Sequence, residues 1–284
     1  MSVIFAREMG FCMGVRRAVA LIEKELDKDN PGPLATYGPL IHNPQVVASY
    51  ESRGVRSIKN PAEARSGDRV VIRAHGVPGS VRRSLEERGA RIVDATCPKV
   101  ALSIRKAKQA EAEGRQVLLV GDAGHGEMLA VAGSLADPGS VQVIADLEDA
   151  RKVHLASRVS VIAQTTFDEE IYKQIAEILC SRVVDCRVES SICPATRSRQ
   201  EAVRRLARNV DGIVVIGGKN SANTRRLYDL ALSTGIPAWH VEGPDDVPPE
   251  VGELKTVGIS AGASTPDESI HQTADRILEL QGEK

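Results

Sequence analysis

The sequence predicts an α/β protein: three similar small αβ domains with parallel sheets, set around a pseudo-threefold axis. Three observations predict it. Short runs rich in valine and isoleucine alternate with amphipathic helical patterns, as expected for strands buried on both faces of a parallel sheet. A cysteine stands just before a helical pattern three times, at Cys12, Cys97 and Cys193, each followed by a short apolar run and then a polar loop. The two chain ends are also complementary: a strand with no helix before it opens the chain, and a helix with no strand after it closes it.

Taken in order, Val3-Ile4-Phe5-Ala6 is the opening strand, and Val15, Ala18, Val19, Ile22 and Leu26 form the apolar stripe of a first helix. A strand at 69–72, a helix at 80–88 and a strand at 91–95 lead to Cys97. Strands at 117–120 and 159–162, a helix at 168–180 and a strand at 183–188 lead to Cys193. Beyond it, Ala202, Val203, Leu206, Ala207 and Val210 make another stripe, followed by strands at 212–216 and 256–259 and a helix at 267–280. Gly89, Gly114 and Gly235 sit where helices end, and the proline-rich stretch 243–249 reads as a surface loop. The economical arrangement is a closed ring. The opening strand completes the third unit and joins the sheet of strands 212–216 and 256–259. The expected domains are 13–97, 98–192, and 193–284 together with 1–12.

Composition narrows the function classes. A net charge of −1 supports neither nucleic acid nor an anionic membrane as partner, and 3% aromatic residues argue against a base-stacking platform. No apolar run approaches the ~18 residues of a membrane span. The N-terminal stretch is too short for a signal peptide. Five cysteines, an odd number without a dense disulfide pattern, fit a reducing compartment, so a cytoplasmic protein is expected. Cys180, on a helix, and Cys186, in a strand, fall outside the register and read as packing residues.

Three thiolates brought to one axis leave a fourth ligand position open, as a reactive metal centre requires. Each unit also offers two strand-to-loop junctions, where parallel sheets bind ligands. They carry His42 and Ala74-His75-Gly76; Gly124-His125-Gly126-Glu127 and Gln164-Thr165-Thr166; Asn220-Ser221-Ala222-Asn223 and Ser260-Ala261-Gly262-Ala263-Ser264-Thr265. Glycines permit close backbone approach, and histidine, serine and asparagine suit a phosphate or diphosphate; Lys219 adds charge. Taken singly, the serines and threonines read as helix caps, and His154, His240 and His271 as surface loop histidines. Glu127, two residues after His125, reads as a proton-transfer group.

Taken jointly, Gly10-Phe11-Cys12-Met13-Gly14-Val15, His42-Asn43, Ala74-His75-Gly76-Val77, Asp94-Ala95-Thr96-Cys97-Pro98, Gly124-His125-Gly126-Glu127, Gln164-Thr165-Thr166, the segment 192–200 around Cys193, Lys219-Asn220-Ser221 and the segment 261–267 around Ser264 resemble the LytB family of 4-hydroxy-3-methylbut-2-enyl diphosphate reductases. The resemblance runs from residue 10 to 267. It implies three αβ domains with a 4Fe–4S cluster at the centre, held by Cys12, Cys97 and Cys193, with one iron lacking a protein ligand. It implies that His42, His75, His125, Ser221, Asn223 and Ser264 bind the diphosphate, that Thr165 sits by the substrate hydroxyl and that Glu127 delivers protons. The implied reaction is a reductive dehydroxylation of an allylic diphosphate to isopentenyl and dimethylallyl diphosphate. A reduced ferredoxin or flavodoxin is the implied electron donor. Ala222 departs from the family's common serine and forgoes a hydrogen bond of about 0.5–1.5 kcal/mol; Met13 stands where a smaller residue or Phe is frequent. Two other readings share features with this chain. Quinolinate synthase also combines threefold αβ architecture with three cysteines and an open iron, and a zinc-stapled binding protein would need no reductant.

Overall fold

The computed structural model describes residues 2–29 and 32–282. From the N-terminus run β1 (Ser2–Phe5), α1 (Met13–Leu26), β2 (Leu34–Tyr37), α2 (Pro44–Ser52), β3 (Arg56–Ile58), β4 (Arg69–Ile72), α3 (Gly79–Glu87) and β5 (Arg91–Asp94). Then come α4 (Pro98–Ala112), β6 (Gln116–Val120), α5 (Gly126–Ala132), β7 (Gln142–Ile144), α6 (Leu147–Lys152), β8 (Arg158–Ala163), α7 (Glu169–Cys180) and β9 (Asp185–Val188). The chain closes with α8 (Pro194–Leu206), β10 (Gly212–Ile216), α9 (Ala222–Ser233), β11 (Ala238–Val241), β12 (Thr256–Ala261) and α10 (Asp267–Gly282).

The strands form three four-stranded sheets, ordered β5-β4-β2-β3, β9-β8-β6-β7 and β1-β12-β10-β11. Every pairing is parallel. Written this way the sheets correspond strand for strand, and β1 holds the edge position that β5 and β9 hold in the other two. It pairs with β12 from Ser2↔Thr256 to Phe5↔Ile259, so the opening strand does join the sheet of strands 212–216 and 256–259. A parallel neighbour ordinarily arrives by a helical crossover; here it comes from the other end of the chain. Each sheet with its helices makes one small αβ domain.

Strand periodicity explains the layering. Val117 and Leu119 of β6 pack with Ala107 and Ala110 of α4 and with Met128 and Val131 of α5. Leu118 and Val120 face the other way, toward Ile175 and Leu179 of α7. Likewise Ile213 and Val215 of β10 meet Val203 and Leu206 of α8 and Leu227 of α9, whereas Val214 and Ile216 meet Ile270 and Ile277 of α10. Each such fully buried side chain contributes about 1.5–3 kcal/mol, which is why the central strands read as unbroken apolar runs. Gly89, Gly114 and Gly235 adopt positive φ just past α3, α4 and α9, as expected.

Some expectations need correction. Helix α8 ends at Leu206, so Ala207 and Val210 lie beyond it, although both still pack on the same apolar cluster. His240 is on β11, its Nε2 2.9 Å from the Gly217 carbonyl, and His271 is on α10; neither lies in a loop. Cys180 and Cys186 are joined in a disulfide, their Cα atoms 5.2 Å apart, rather than merely packed. The last residue of α7 and the second of β9 face each other across the turn between them, so the short spacing brings the thiols into range. Among the described residues no helix is long and apolar enough to cross a membrane.

The chain divides into two compact units. One comprises residues 1–15, 42–46 and 194–284 and holds the β1-β12-β10-β11 sheet; the other comprises residues 16–41 and 47–193 and holds the other two sheets.

Candidate active site

The same backbone hydrogen bond seats each cysteine. Cys97 N–H donates to the Ala74 carbonyl at 2.9 Å, Cys193 N–H to the Thr165 carbonyl at 3.0 Å and Cys12 N–H to the Ala263 carbonyl at 3.1 Å. The acceptor is in every case two residues past the end of the sheet's strand β4, β8 or β12. Each cysteine is therefore held at the carboxyl edge of its sheet, where the next helix begins. None of the three is in the disulfide, and all are partly exposed. Sulfur donors presented at sheet edges are the donor set an iron–sulfur cluster takes, so these residues fit that group.

In the larger unit the proton-transfer candidates are already connected. Glu127 is 1% exposed. Its Oε1 accepts the Thr165 backbone N–H at 2.8 Å, and its Oε2 accepts the Thr165 hydroxyl at 2.7 Å. Since the Thr165 carbonyl accepts Cys193 N–H, one residue carries the contacts of both the acid and the cysteine. Gln164 braces this corner: its Oε1 accepts Asp122 N–H at 3.0 Å and its Nε2 donates to Thr166 Oγ1 at 2.8 Å. His125 caps α5, its Nδ1 accepting Glu127 N–H at 3.2 Å, and its ring meets that of His75 edge-on with centroids 5.0 Å apart. Beside them lies Arg73, which the sequence reading had not singled out; burial pushes its pKa down, an effect partly offset by Tyr37.

In the smaller unit, Ser221 caps α9 by accepting Thr224 N–H at 3.3 Å, as its cap reading anticipated. Asn223 is 6% exposed, and its Nδ2 has no acceptor among the described residues. A buried amide donor left unmatched is costly, and a ligand oxygen would satisfy it. The His42 segment belongs here because its backbone seats against Gly218: a Cβ there would come within 2.6 Å of the His42 carbonyl. Asn43 Oδ1 then accepts Val46 N–H at 2.9 Å. Ser264 follows β12 in the loop that also holds Ala263. Lys219, expected to add charge, is exposed and lies 3.7 Å from Asp246, so its charge is offset. Arg199, another residue without an assigned role, is 3% exposed and donates to the Gly10 carbonyl at 2.6 Å and the Ala195 carbonyl at 2.9 Å. It braces the Cys12 loop against α8. Gly10 itself has φ 71°, and a Cβ there would meet the Asp267 carboxylate at 2.9 Å.

A model of the LytB protein family matches residues 3–278. The 4-hydroxy-3-methylbut-2-enyl diphosphate reductase of Treponema denticola is 41% identical over 98% of this chain and 100% of its own length. That of Aquifex aeolicus is 41% identical over 98% and 96%. A solved structure of (E)-4-hydroxy-3-methyl-but-2-enyl diphosphate reductase, the terminal enzyme of the non-mevalonate pathway, is 40% identical over 98% of this chain and 99% of that one, with a TM-score of 0.71. The Plasmodium falciparum reductase shares the fold, with a TM-score of 0.90 at 23% identity over 98% of this chain and 87% of that one. The family match over nearly the whole length, with relatives 41% identical along almost all of both chains, means that the chain belongs to the LytB family.

Proposed function

We propose that this chain reduces 4-hydroxy-3-methylbut-2-enyl diphosphate to isopentenyl and dimethylallyl diphosphate. The chain is thus an oxidoreductase of the isoprenoid route that avoids mevalonate. Two electrons and two protons enter, the allylic C–O bond breaks, and the oxygen leaves as water. The observation that carries the reading is the corner at Thr165, where a buried carboxyl, a hydroxyl and the backbone of a cysteine are joined by hydrogen bonds of 2.7–3.0 Å.

Cys12, Cys97 and Cys193 would hold a 4Fe–4S cluster, which when bound supplies the electrons and, at the iron without a cysteine, a Lewis acid. The residues do the rest. Thr165 Oγ1 orients the substrate hydroxyl. Glu127, once protonated on Oε2, donates to Thr165 Oγ1 with that hydrogen bond reversed, and Thr165 gives its own hydroxyl proton to the departing oxygen; the two contacts with Thr165 keep the carboxyl aimed while burial keeps water away. His42, His75, His125, Ser221, Asn223 and Ser264 bind the diphosphate; Asn223 Nδ2 gains the acceptor it lacks. A reduced ferredoxin or flavodoxin supplies the electrons, and the cytoplasm is where such donors and this substrate meet.

Anaerobic purification, an iron count and a visible spectrum, followed by turnover of the substrate with dithionite and a viologen, test the reading. Close to four irons per chain and both isoprenoid products are expected, from the stoichiometry of the cluster. Turnover of other substrates without reductant would favour quinolinate synthase chemistry, and a colourless zinc protein would overturn the enzyme reading.

A further inference from the structure

We propose that Arg73 is the fixed cationic anchor for the substrate's diphosphate in the larger unit; the inference rests on the diphosphate reading above and adds a residue to it. Arg73 follows β4 directly and precedes Ala74 and His75. Its guanidinium lies in a slot between two glycines. A Cβ on Gly38 would come within 3.0 Å of its Nη1, and a Cβ on Gly126 within 2.5 Å of its Nη2 and 3.0 Å of its Cζ. Gly38 has φ 69°, a conformation that already favours glycine. Gly126 does not have a positive φ, and glycine opening a helix costs stability relative to alanine. What glycine provides at position 126 is room for the guanidinium, next to the cap residue His125.

Among the described residues the slot holds a charge with no carboxylate beside it. No hydrogen-bond acceptor or carboxylate partner of the guanidinium occurs among the described residues, and the Nε is buried without an acceptor. Arg73 as a whole is only partly buried, so its side chain is not sealed from solvent. Arginine stays protonated under these conditions. A half-buried cation without a counterion is unfavourable in the folded protein alone and becomes favourable when an anion arrives.

Gln164 makes the contrast explicit. It holds the same position after β8 that Arg73 holds after β4, and a Cβ on Gly121 would meet its amide just as one on Gly38 would meet the guanidinium. Yet both polar atoms of Gln164 are satisfied within the protein, whereas those of Arg73 are not. His125 is already engaged in the fold, its Nδ1 accepting the Glu127 N–H that caps α5. Arg73 brings a permanent charge, in a planar fork that suits a phosphate oxygen pair.

The test uses anaerobically prepared, cluster-loaded protein, with inorganic pyrophosphate as competitive inhibitor alongside substrate kinetics. Arg73→Met is expected to weaken pyrophosphate inhibition and raise KM by about 10–100-fold, the size of a lost charge-assisted hydrogen bond. The value of kcat should stay within about threefold, and Tm should not fall, because an unpaired charge has been removed. Arg73→Lys should recover part of the affinity. Gly126→Ala, which crowds the guanidinium, should weaken pyrophosphate in the wild-type background and add nothing to Arg73→Met; it carries the test if Arg73→Met does not fold. Pyrophosphate inhibition unchanged in Arg73→Met while His125→Ala loses it would overturn the role of Arg73 alone. No pyrophosphate inhibition of the wild type would overturn this proposal and the diphosphate reading together. A fall in kcat at unchanged KM would also overturn it, since the residue would then act on the chemistry and not on the anion.

Discussion

The two sheets of the larger unit present the same junction with different contents. After β4 the chain reads Arg73-Ala74, and the Ala74 carbonyl receives Cys97; after β8 it reads Gln164-Thr165, and the Thr165 carbonyl receives Cys193. The backbone task is identical. Only the second junction carries a hydroxyl bonded to a buried carboxyl. Repetition therefore supplies three equivalent seats for cysteine, while the proposed proton chemistry belongs to one seat and a cation to another. That division predicts which substitutions act alike and which do not.

The largest effect should be the one in which the seats are equal. Serine in place of Cys97 or Cys193, or of Cys12 at the matching seat, should remove most of the iron and all turnover. Cys180→Ser and Cys186→Ser should keep iron near the wild-type content, because neither residue occupies a seat. Equal loss of iron in all five variants, read from iron counts and the visible spectrum, would sink the assignment.

The seats should part at the next level. Glu127→Gln keeps the shape of the side chain and one acceptor for Thr165 but has no acidic proton, so turnover should fall by roughly 10²–10⁴-fold, with KM little changed. His42→Asn should show the reverse emphasis, raising KM with a smaller change in kcat. Near wild-type turnover of Glu127→Gln with a strong artificial reductant would mean that another group supplies the proton. A smaller effect belongs to the disulfide, which closes a loop with a sequence separation of 6. Its reduction, or Cys186→Ser, should cost about 2 kcal/mol of stability in a denaturant melt without loss of iron. Iron loss in step with reduction would tie the bridge to the Cys193 seat.

Much of this contrast was legible in the sequence, and the reason is periodicity. Most central strands are buried on both faces and are short runs rich in Val, Ile and Leu, and the cysteines recur in register with them. The unmatched strand and helix at the two ends sufficed to predict β1 in the sheet of β10 and β12; the pairing beside β12 came from the structure. The short strands β2, β3, β7 and β11 were not anticipated, because three or four residues carry too little pattern to separate them from loops. Arg73 and Arg199 were missed for another reason. Their importance lies in partners far along the chain: Gly38 and Gly126 around one, the Gly10 carbonyl under the other. No local spacing announces such contacts. The Cys180–Cys186 bridge was missed because an odd cysteine count and a reducing-compartment reading drew attention away from a pair only a turn apart.

The smallest expected effect falls in the other unit and asks whether a junction can be improved. Ala222 opens α9 between Ser221, which caps the helix, and Asn223, whose Nδ2 is buried without an acceptor. If the diphosphate lies against this turn, a hydroxyl at position 222 would reach it without disturbing the cap. Ala222→Ser should then gain one hydrogen bond of about 0.5–1.5 kcal/mol, lowering KM and the pyrophosphate inhibition constant by roughly 2–10-fold. Because the gain is made in both ground and transition state, kcat should hardly move. Unchanged inhibition by pyrophosphate, with Tm and iron content as in the wild type, would mean that position 222 faces away from the anion. Asn223 would then be the contact to change next.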